Sequence, residues 1–161
     1  MNKGEQVVIG FKELLNKTIY LNRIKMQNIL KGYNPSEIHC IEYIANHKNS
    51  NVTKLAQSFY MTRSAISKIV KKLIEKNLVE SYKKSENKKE IYFKLTKQGE
   101  KINKIHQNLH KEFQERDKIV FDQITEEQFN SILSFIEKYS KHLDKEINKL
   151  NIKSNKLIKS K

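Results

Sequence analysis

A chain of 161 residues, 31% charged and 37% apolar, is the length of one ordinary domain and too polar to bury a large sheet. Its single cysteine excludes an internal disulfide. No apolar run approaches the roughly 18 residues of a membrane span, and the N-terminus has no signal-peptide core, so a soluble, cytoplasmic protein without a membrane partner is expected. The formal charge of +14 suits a polyanionic partner, because basic residues crowd the segment from Arg63 to Lys89 and the last residues from Lys149.

Four glycines and one proline leave few breakers, which predicts long helices and short connections. A first helix is expected from Val7 to Leu30, with Phe11, Leu15, Ile19 and Met26 at helical spacing and Gly32 as its stop. "NPSE" opens a second. Asn34 caps it, Pro35 fits the first helical position, Glu37 stands three after the cap, and Ile38, Ile41 and Ile44 form the buried stripe. A short third helix starts near Asn51 and buries Val52, Leu55 and Ala56. The stretch "TRSAISKIVKKLIEKN" makes a fourth, capped by Thr62, with Ile66, Val70 and Leu73 inward and Asn77 in the left-handed position that ends it.

From Leu78 to Thr96 the period shortens. Two β-leaning segments, Val79–Lys83 and Glu90–Leu95, flank a lysine-rich tip, which reads as a hairpin. Thr96 caps a fifth helix reaching about Val120. "TEEQ" is a capping box for a sixth, which carries Phe129, Ile132, Ile136, Tyr139, Leu143 and Ile147 at alternating three–four spacing. A lone domain cannot cover that stripe, so it is expected to hold two copies together. Residues 149–161 read as a basic, disordered tail.

Helix, short helix, tight turn, longer helix and basic hairpin make a winged helix-turn-helix: a mainly α fold with a small β-hairpin wing. In that geometry the fourth helix enters a major groove of double-stranded DNA. Outside its apolar stripe lie Thr62, Arg63, Ser64, Ser67, Lys68, Lys71 and Lys72. Arginine can read a guanine edge and serine allows close approach, whereas the lysines suit phosphates. Lys83, Lys84, Lys88 and Lys89 place charge on the wing, at a minor groove or its phosphates. The bland alternative is a solvated basic helix beside a solvated loop.

"NVTKLAQSFYMTRSAISKIVKKLIEKNLVE" followed by "SENKKEIYFKLTKQGEK" resembles the MarR family of bacterial transcriptional regulators, and the resemblance covers about residues 5 to 148. It implies a homodimer built from the first and last two helices, with Phe11 and Leu15 joining the sixth-helix stripe. It also implies an inverted-repeat operator and, usually, a repressor controlled by a small ligand. The implied division is 1–33 for an N-terminal dimerisation helix, 34–96 for the DNA-binding domain and 97–148 for C-terminal dimerisation helices. Where the family's wing carries Asp-x-Arg, this chain has Asn87 and Lys89, and Asn77 replaces the usual glycine.

His106 and His110 are four apart, a metal-ligand spacing, but "HQNLH" has Gln107 where a metalloprotease needs its glutamate. No other catalytic constellation stands out, so no enzyme is expected. The chain is also similar to two subgroups of the family. The zinc-uptake repressors imply His39, His106 and His110 as zinc ligands with an acid from the first helix, where this chain has Gln27 and Asn28. The FabT-like regulators of fatty-acid synthesis imply an acyl-type effector. The residues alone leave a buried polar network, a metal site and a direct ligand contact open. No cofactor is required, with zinc as the candidate. A zinc or manganese sensor of the same fold is the alternative function, and a non-specific architectural DNA-binding protein stands behind both. Cys40 reads as a packed thiol.

Overall fold

The computed structural model describes residues 1–159, with side chains described for 1–150. Along it run α1 (Lys3–Ile29), α2 (Pro35–Asn46), α3 (Val52–Ser58), α4 (Arg63–Glu75), β1 (Val79–Lys84), β2 (Asn87–Leu95), α5 (Lys97–Phe121) and α6 (Glu126–Lys159).

The helix starts are set by side chains that satisfy otherwise unpaired N–H groups. At α2 the Asn34 amide oxygen accepts from Glu37 N at 2.9 Å, while the Glu37 carboxylate accepts from Asn34 N at 3.0 Å. Asn51 caps α3, and the Thr62 hydroxyl caps α4 by accepting from Ala65 N at 3.2 Å. Thr125 and Gln128 form the reciprocal pair before α6. α1 begins earlier than its apolar pattern suggested, because Asn2 and Glu5 build another capping box.

The helix-turn-helix is closed by two matching C-terminal motifs. Leaving α3, Tyr60 N donates to Gln57 O at 3.4 Å and Met61 N to Ala56 O at 3.0 Å. Leaving α4, Asn77 N donates to Ile74 O and Leu78 N to Leu73 O, both at 2.9 Å. Each is a Schellman arrangement that puts one residue in the left-handed region: Tyr60 at φ 52° and Asn77 at φ 56°.

β1 and β2 pair antiparallel, Val79 opposite Leu95 and Tyr82 opposite Tyr92, with a register shift before Lys84 meets Asn87. The hairpin is tied back to the α2–α3 connection. Phe93 N donates to Ser50 O at 2.9 Å, and the Tyr82 hydroxyl to the Asn49 amide oxygen at 3.2 Å. The winged helix-turn-helix is thus complete. Its core gathers Ile41 (α2), Leu55 (α3), Ile66 and Leu73 (α4), Leu78 at the root of β1, and Leu109 (α5), all fully buried. Each such side chain contributes about 1.5–3 kcal/mol through its burial.

The chain divides into two compact units, residues 1–114 and 115–161. In the first, α1 buries none of its own residues and exposes Phe11 and Leu15, and Lys25 forms an ion pair with Glu112. In the second, Phe121 stacks on Phe129, and α6 exposes Ile132, Ile136, Tyr139 and Leu143, with Ile147 half-buried. α6 is described to Lys159, within the stretch 149–161 that was read as a disordered tail. The side chains of that tail from residue 151, and residues 160–161 altogether, lie outside the described residues. Among the described residues, no helix is long and apolar enough to cross a membrane.

The seam between α4, the wing and α5 is a close backbone contact. Thr96 N donates to Leu78 O at 3.0 Å, and its hydroxyl donates to Asn77 O at 2.7 Å while accepting from Gly99 N at 3.0 Å. A Cβ on Gly99 would lie 2.0 Å from the Leu78 carbonyl oxygen. Gly99→Ala should therefore push α5 off the wing root and destabilise the fold by about 1–3 kcal/mol, toward the upper end because the clash is with backbone. The urea midpoint measures this; a wild-type midpoint would show that the seam can open without cost.

Candidate nucleic-acid interface

α4 divides cleanly into two faces. Ile66, Val70 and Leu73 are buried, while Thr62, Arg63, Ser64, Ser67, Lys68, Lys71 and Lys72 are exposed. They are not equivalent. Thr62 spends its hydroxyl on the cap. Lys71 lies 4.0 Å from Glu75 in an exposed pair that contributes little to stability. Among the described residues the side chains of Arg63, Ser64, Ser67 and Lys68 enter no hydrogen bond or ion pair. The first half of the helix therefore presents donors that the fold does not use.

The other end of α4 is held fast. Lys76, its C-cap, donates to both Glu37 carboxylate oxygens at 2.9 and 3.0 Å and to Gly32 O at 2.9 Å. The same ammonium lies 5.0 Å from the centre of the Tyr33 ring. The Glu37 side chain is only 3% exposed and that of Lys76 37%, so a desolvated carboxylate meets a part-exposed ammonium through charge-assisted bonds. The role of Lys76 is invisible in a run of lysines, since only the partner across the fold distinguishes it.

A groove of about 240 Å³ separates the start of α4 from the wing, with Arg63 on one wall and Lys89 on the other. Its acid, Glu90, accepts from the Tyr92 hydroxyl at 2.6 Å and from the Asn51 amide at 3.5 Å. Lys83, Lys88 and Lys89 are exposed on the hairpin. Lys84 differs: it is half-buried, with its ammonium 5.0 Å from the centre of the Tyr92 ring. The Asn87 amide oxygen accepts from the backbone N–H groups of Lys89 and Glu90 at 3.2 and 3.3 Å, so it shapes the tip. Glu86 stays ionised there, its carboxyl held below the usual range first by its own backbone hydrogen bond, then by the Ser85 hydroxyl and Lys84.

The histidines assemble differently from the zinc set that the resemblance implied. His106 is fully buried on α5, and its Nε2 lies 3.0 Å from Nε2 of the exposed His110. With His110 donating, His106 carries its proton on Nδ1, which faces the Glu42 carboxylate at 4.0 Å, too far for a hydrogen bond. The ligand atoms within 4.8 Å of one another belong to Glu42, His106 and His110. His39 stands outside that group, its ring centre 6.4 Å from that of His106. Gln27 of α1 lines the cavity beside His39 and His110, where the zinc set needs an acid. Zinc is not supported, and Glu42, His106 and His110 stand together as a polar cluster. Glu42 was missed because one acid in "CIEYIA" carries no spacing signal of its own.

That cavity, about 220 Å³, has largely apolar walls from α1, α2 and the connection between them, including Ile19, Met26, Tyr33 and Ile38. Cys40 is buried nearby on α2. Desolvation first, and the Glu37 charge second, push its thiol up to about 12, so it is a packed, protonated thiol.

The MarR family matches residues 33–91 of the chain. The HTH-type transcriptional regulator PchR of Bacillus subtilis (strain 168) is 33% identical over 113 residues, covering 70% of this chain and 67% of that protein. Among solved structures, Streptococcus pneumoniae FabT in complex with DNA is similar with a TM-score of 0.76 at 16% identity, over 89% of this chain and 99% of that one. Staphylococcus aureus MarR in complex with salicylate and kanamycin is similar with a TM-score of 0.71 at 17% identity, over 88% and 93% respectively. At these identities the solved structures speak for the fold alone.

Burial, then the neighbouring His110, lower the pKa of His106 below its usual 6.5, against the opposing pull of Glu42; His39 lowers it further. The unfolded chain therefore takes up a proton below pH 6.5 that the folded chain resists. Stability from this group is complete above that pH and falls as the pH drops below it. The urea midpoint should decrease from about pH 7.5 to about pH 5.5, and His106→Gln should flatten the decrease. An equal decrease in the variant would trace it to other groups.

Proposed function

This chain belongs to the MarR family of DNA-binding transcriptional regulators, and we propose that it acts as a homodimeric repressor on an inverted-repeat operator, controlled by a small ligand. The observation that carries this reading is the asymmetry of α4: a C-terminal end clamped by Lys76 and Glu37, and an N-terminal half of Arg63, Ser64, Ser67 and Lys68 left without partners among the described residues. A rigid helix presenting unused donors beside a basic wing suits major-groove insertion. Arg63 and Ser64 then face base edges. Ser67, Lys68, Lys71 and Lys72 contact phosphates, and Lys83, Lys88 and Lys89 follow the backbone or minor groove from the wing.

The apolar faces of α1 and α6 support a second copy, which would also set two recognition helices about 34 Å apart, one turn of DNA. The largely apolar cavity supports a small lipophilic effector, whether an aromatic acid of the salicylate kind or an acyl group.

With about six to ten phosphates neutralised per dimer, affinity should fall on the order of 10³-fold or more from about 50 to 200 mM salt. Lys68→Ala should weaken binding to every sequence and flatten that dependence, whereas Arg63→Ala or Ser64→Ala should shift sequence preference by about 1–3 kcal/mol per lost base contact. Footprinting and anisotropy titrations read both. Uniform binding to all duplexes would favour a non-specific architectural protein instead. Truncation after Gln123 should give a monomeric or aggregating chain in sedimentation; a truncated chain that remains a dimer would remove α6 from the interface.

A further inference from the structure

Among the described residues, four stand in the left-handed backbone region: Gly32, Asn49, Tyr60 and Asn77. Glycine and asparagine enter it readily, and bulky side chains do not. Three of the four positions therefore carry the residue that the backbone asks for. Asn77 and Tyr60 invite direct comparison, because they hold the same place in the two Schellman motifs that end α4 and α3. The fold needs φ near 52° at residue 60, and it would obtain that from glycine or asparagine with less strain.

Nor does the tyrosine side chain repay the fold elsewhere. Tyr60 is 73% exposed, whereas Leu78, which follows Asn77, is buried in the core. The hydroxyl of Tyr82 has a partner in the α2–α3 connection, Asn49, and that of Tyr92 has one in the wing, Glu90. That of Tyr60 has none among the described residues. Its place is specific, two residues before Thr62, the cap of α4, on the approach to the helix half that offers Arg63, Ser64 and Ser67. A position flanking a recognition helix's N-terminus meets the DNA backbone, where tyrosine hydroxyls are among the usual phosphate donors.

We propose that Tyr60 is a DNA contact, its phenol hydroxyl donating to a backbone phosphate beside the groove that α4 enters; this rests on the operator-binding reading above. The contact is neutral. It adds a hydrogen bond without releasing a counterion, which separates it from every lysine on the same surface.

Tyr60→Phe and Tyr60→Gly test this on a duplex that the wild-type protein selects from a random-sequence pool. Tyr60→Phe should lose about tenfold in affinity, the size of a hydrogen bond to a charged group, with the salt slope unchanged. Tyr60→Gly should lose at least as much while its urea midpoint stays level or rises, because glycine relieves the left-handed strain. Wild-type affinity in Tyr60→Phe overturns the hydroxyl contact, and wild-type affinity in both variants removes Tyr60 from the interface. A flattened salt slope in Tyr60→Phe would also overturn it, since a neutral donor cannot change the counterion count. Failure of the wild type to select any duplex would overturn operator binding itself, an outcome separate from the other three.

Discussion

The ammonium of Lys76 is the fixed point of the DNA-binding unit. Lys76 is the C-cap residue of α4, so its charge lies near helix carbonyls that carry partial negative charge, and its ammonium meets Glu37 in the first turn of α2, where N–H groups carry partial positive charge. Each charge therefore suits its own helix end before the two meet. The cluster is saturated: Glu37 also accepts from Asn34 N, and Lys76 also donates to Gly32 O. The Lys76 side chain is 37% exposed and that of Glu37 is buried, so the completed pair holds one geometry, whereas removing Lys76 would leave a desolvated carboxylate without its cation. One interaction thus fixes the α1–α2 connection, the start of α2 and the end of α4 together.

The consequences run along the chain from there. With its C-terminal end tied, α4 buries Ile66, Val70 and Leu73, and their spacing sets the rotation that leaves Arg63, Ser64, Ser67 and Lys68 outside. Asn77 then turns the chain directly into β1. The Thr96 hydroxyl bonds Asn77 O and Gly99 N, joining the end of α4 to the start of α5 through one atom. Gly99 allows that approach because any side chain would occupy the place of the Leu78 carbonyl. The wing hangs from this seam and from the Ser50–Phe93 bridge, so its position relative to α4 is set by backbone bonds and not by its lysines.

What was legible in the sequence was the chemistry of neighbours. Asn34 with Glu37, Thr62, Asn77 and Thr125 with Gln128 act within a few residues of themselves, and a string of residues displays such pairs directly. The amphipathic stripe of α4 has the same local character. Interactions across the fold were not legible. Lys76 looked like its neighbours in a lysine run until Glu37 stood opposite, and Lys84 looked like wing charge until Tyr92 lay under it. The extent of β2, from Asn87, was hidden because the register shifts beyond Tyr82 and no glycine marks the tip. His39 entered the histidine set by resemblance, while distance put Glu42 there instead.

The two polar clusters of the first unit differ in how completely they are satisfied. Around Glu37 the carboxylate oxygens and the ammonium all have partners. Around His106, Nδ1 has a carboxylate at 4.0 Å and, among the described residues, no hydrogen bond, and the buried Asn103 amide oxygen one turn away on α5 has no partner among them either. An under-satisfied group in a low-dielectric surrounding gains more from a small rearrangement than a saturated one does. His110 joins this looser cluster to the apolar cavity, since it lines the cavity wall and bonds His106. On the proposed reading, that contrast suits a ligand-controlled repressor. The rigid cluster stands where a recognition helix must keep its angle, and the adjustable one borders the space where an effector would bind.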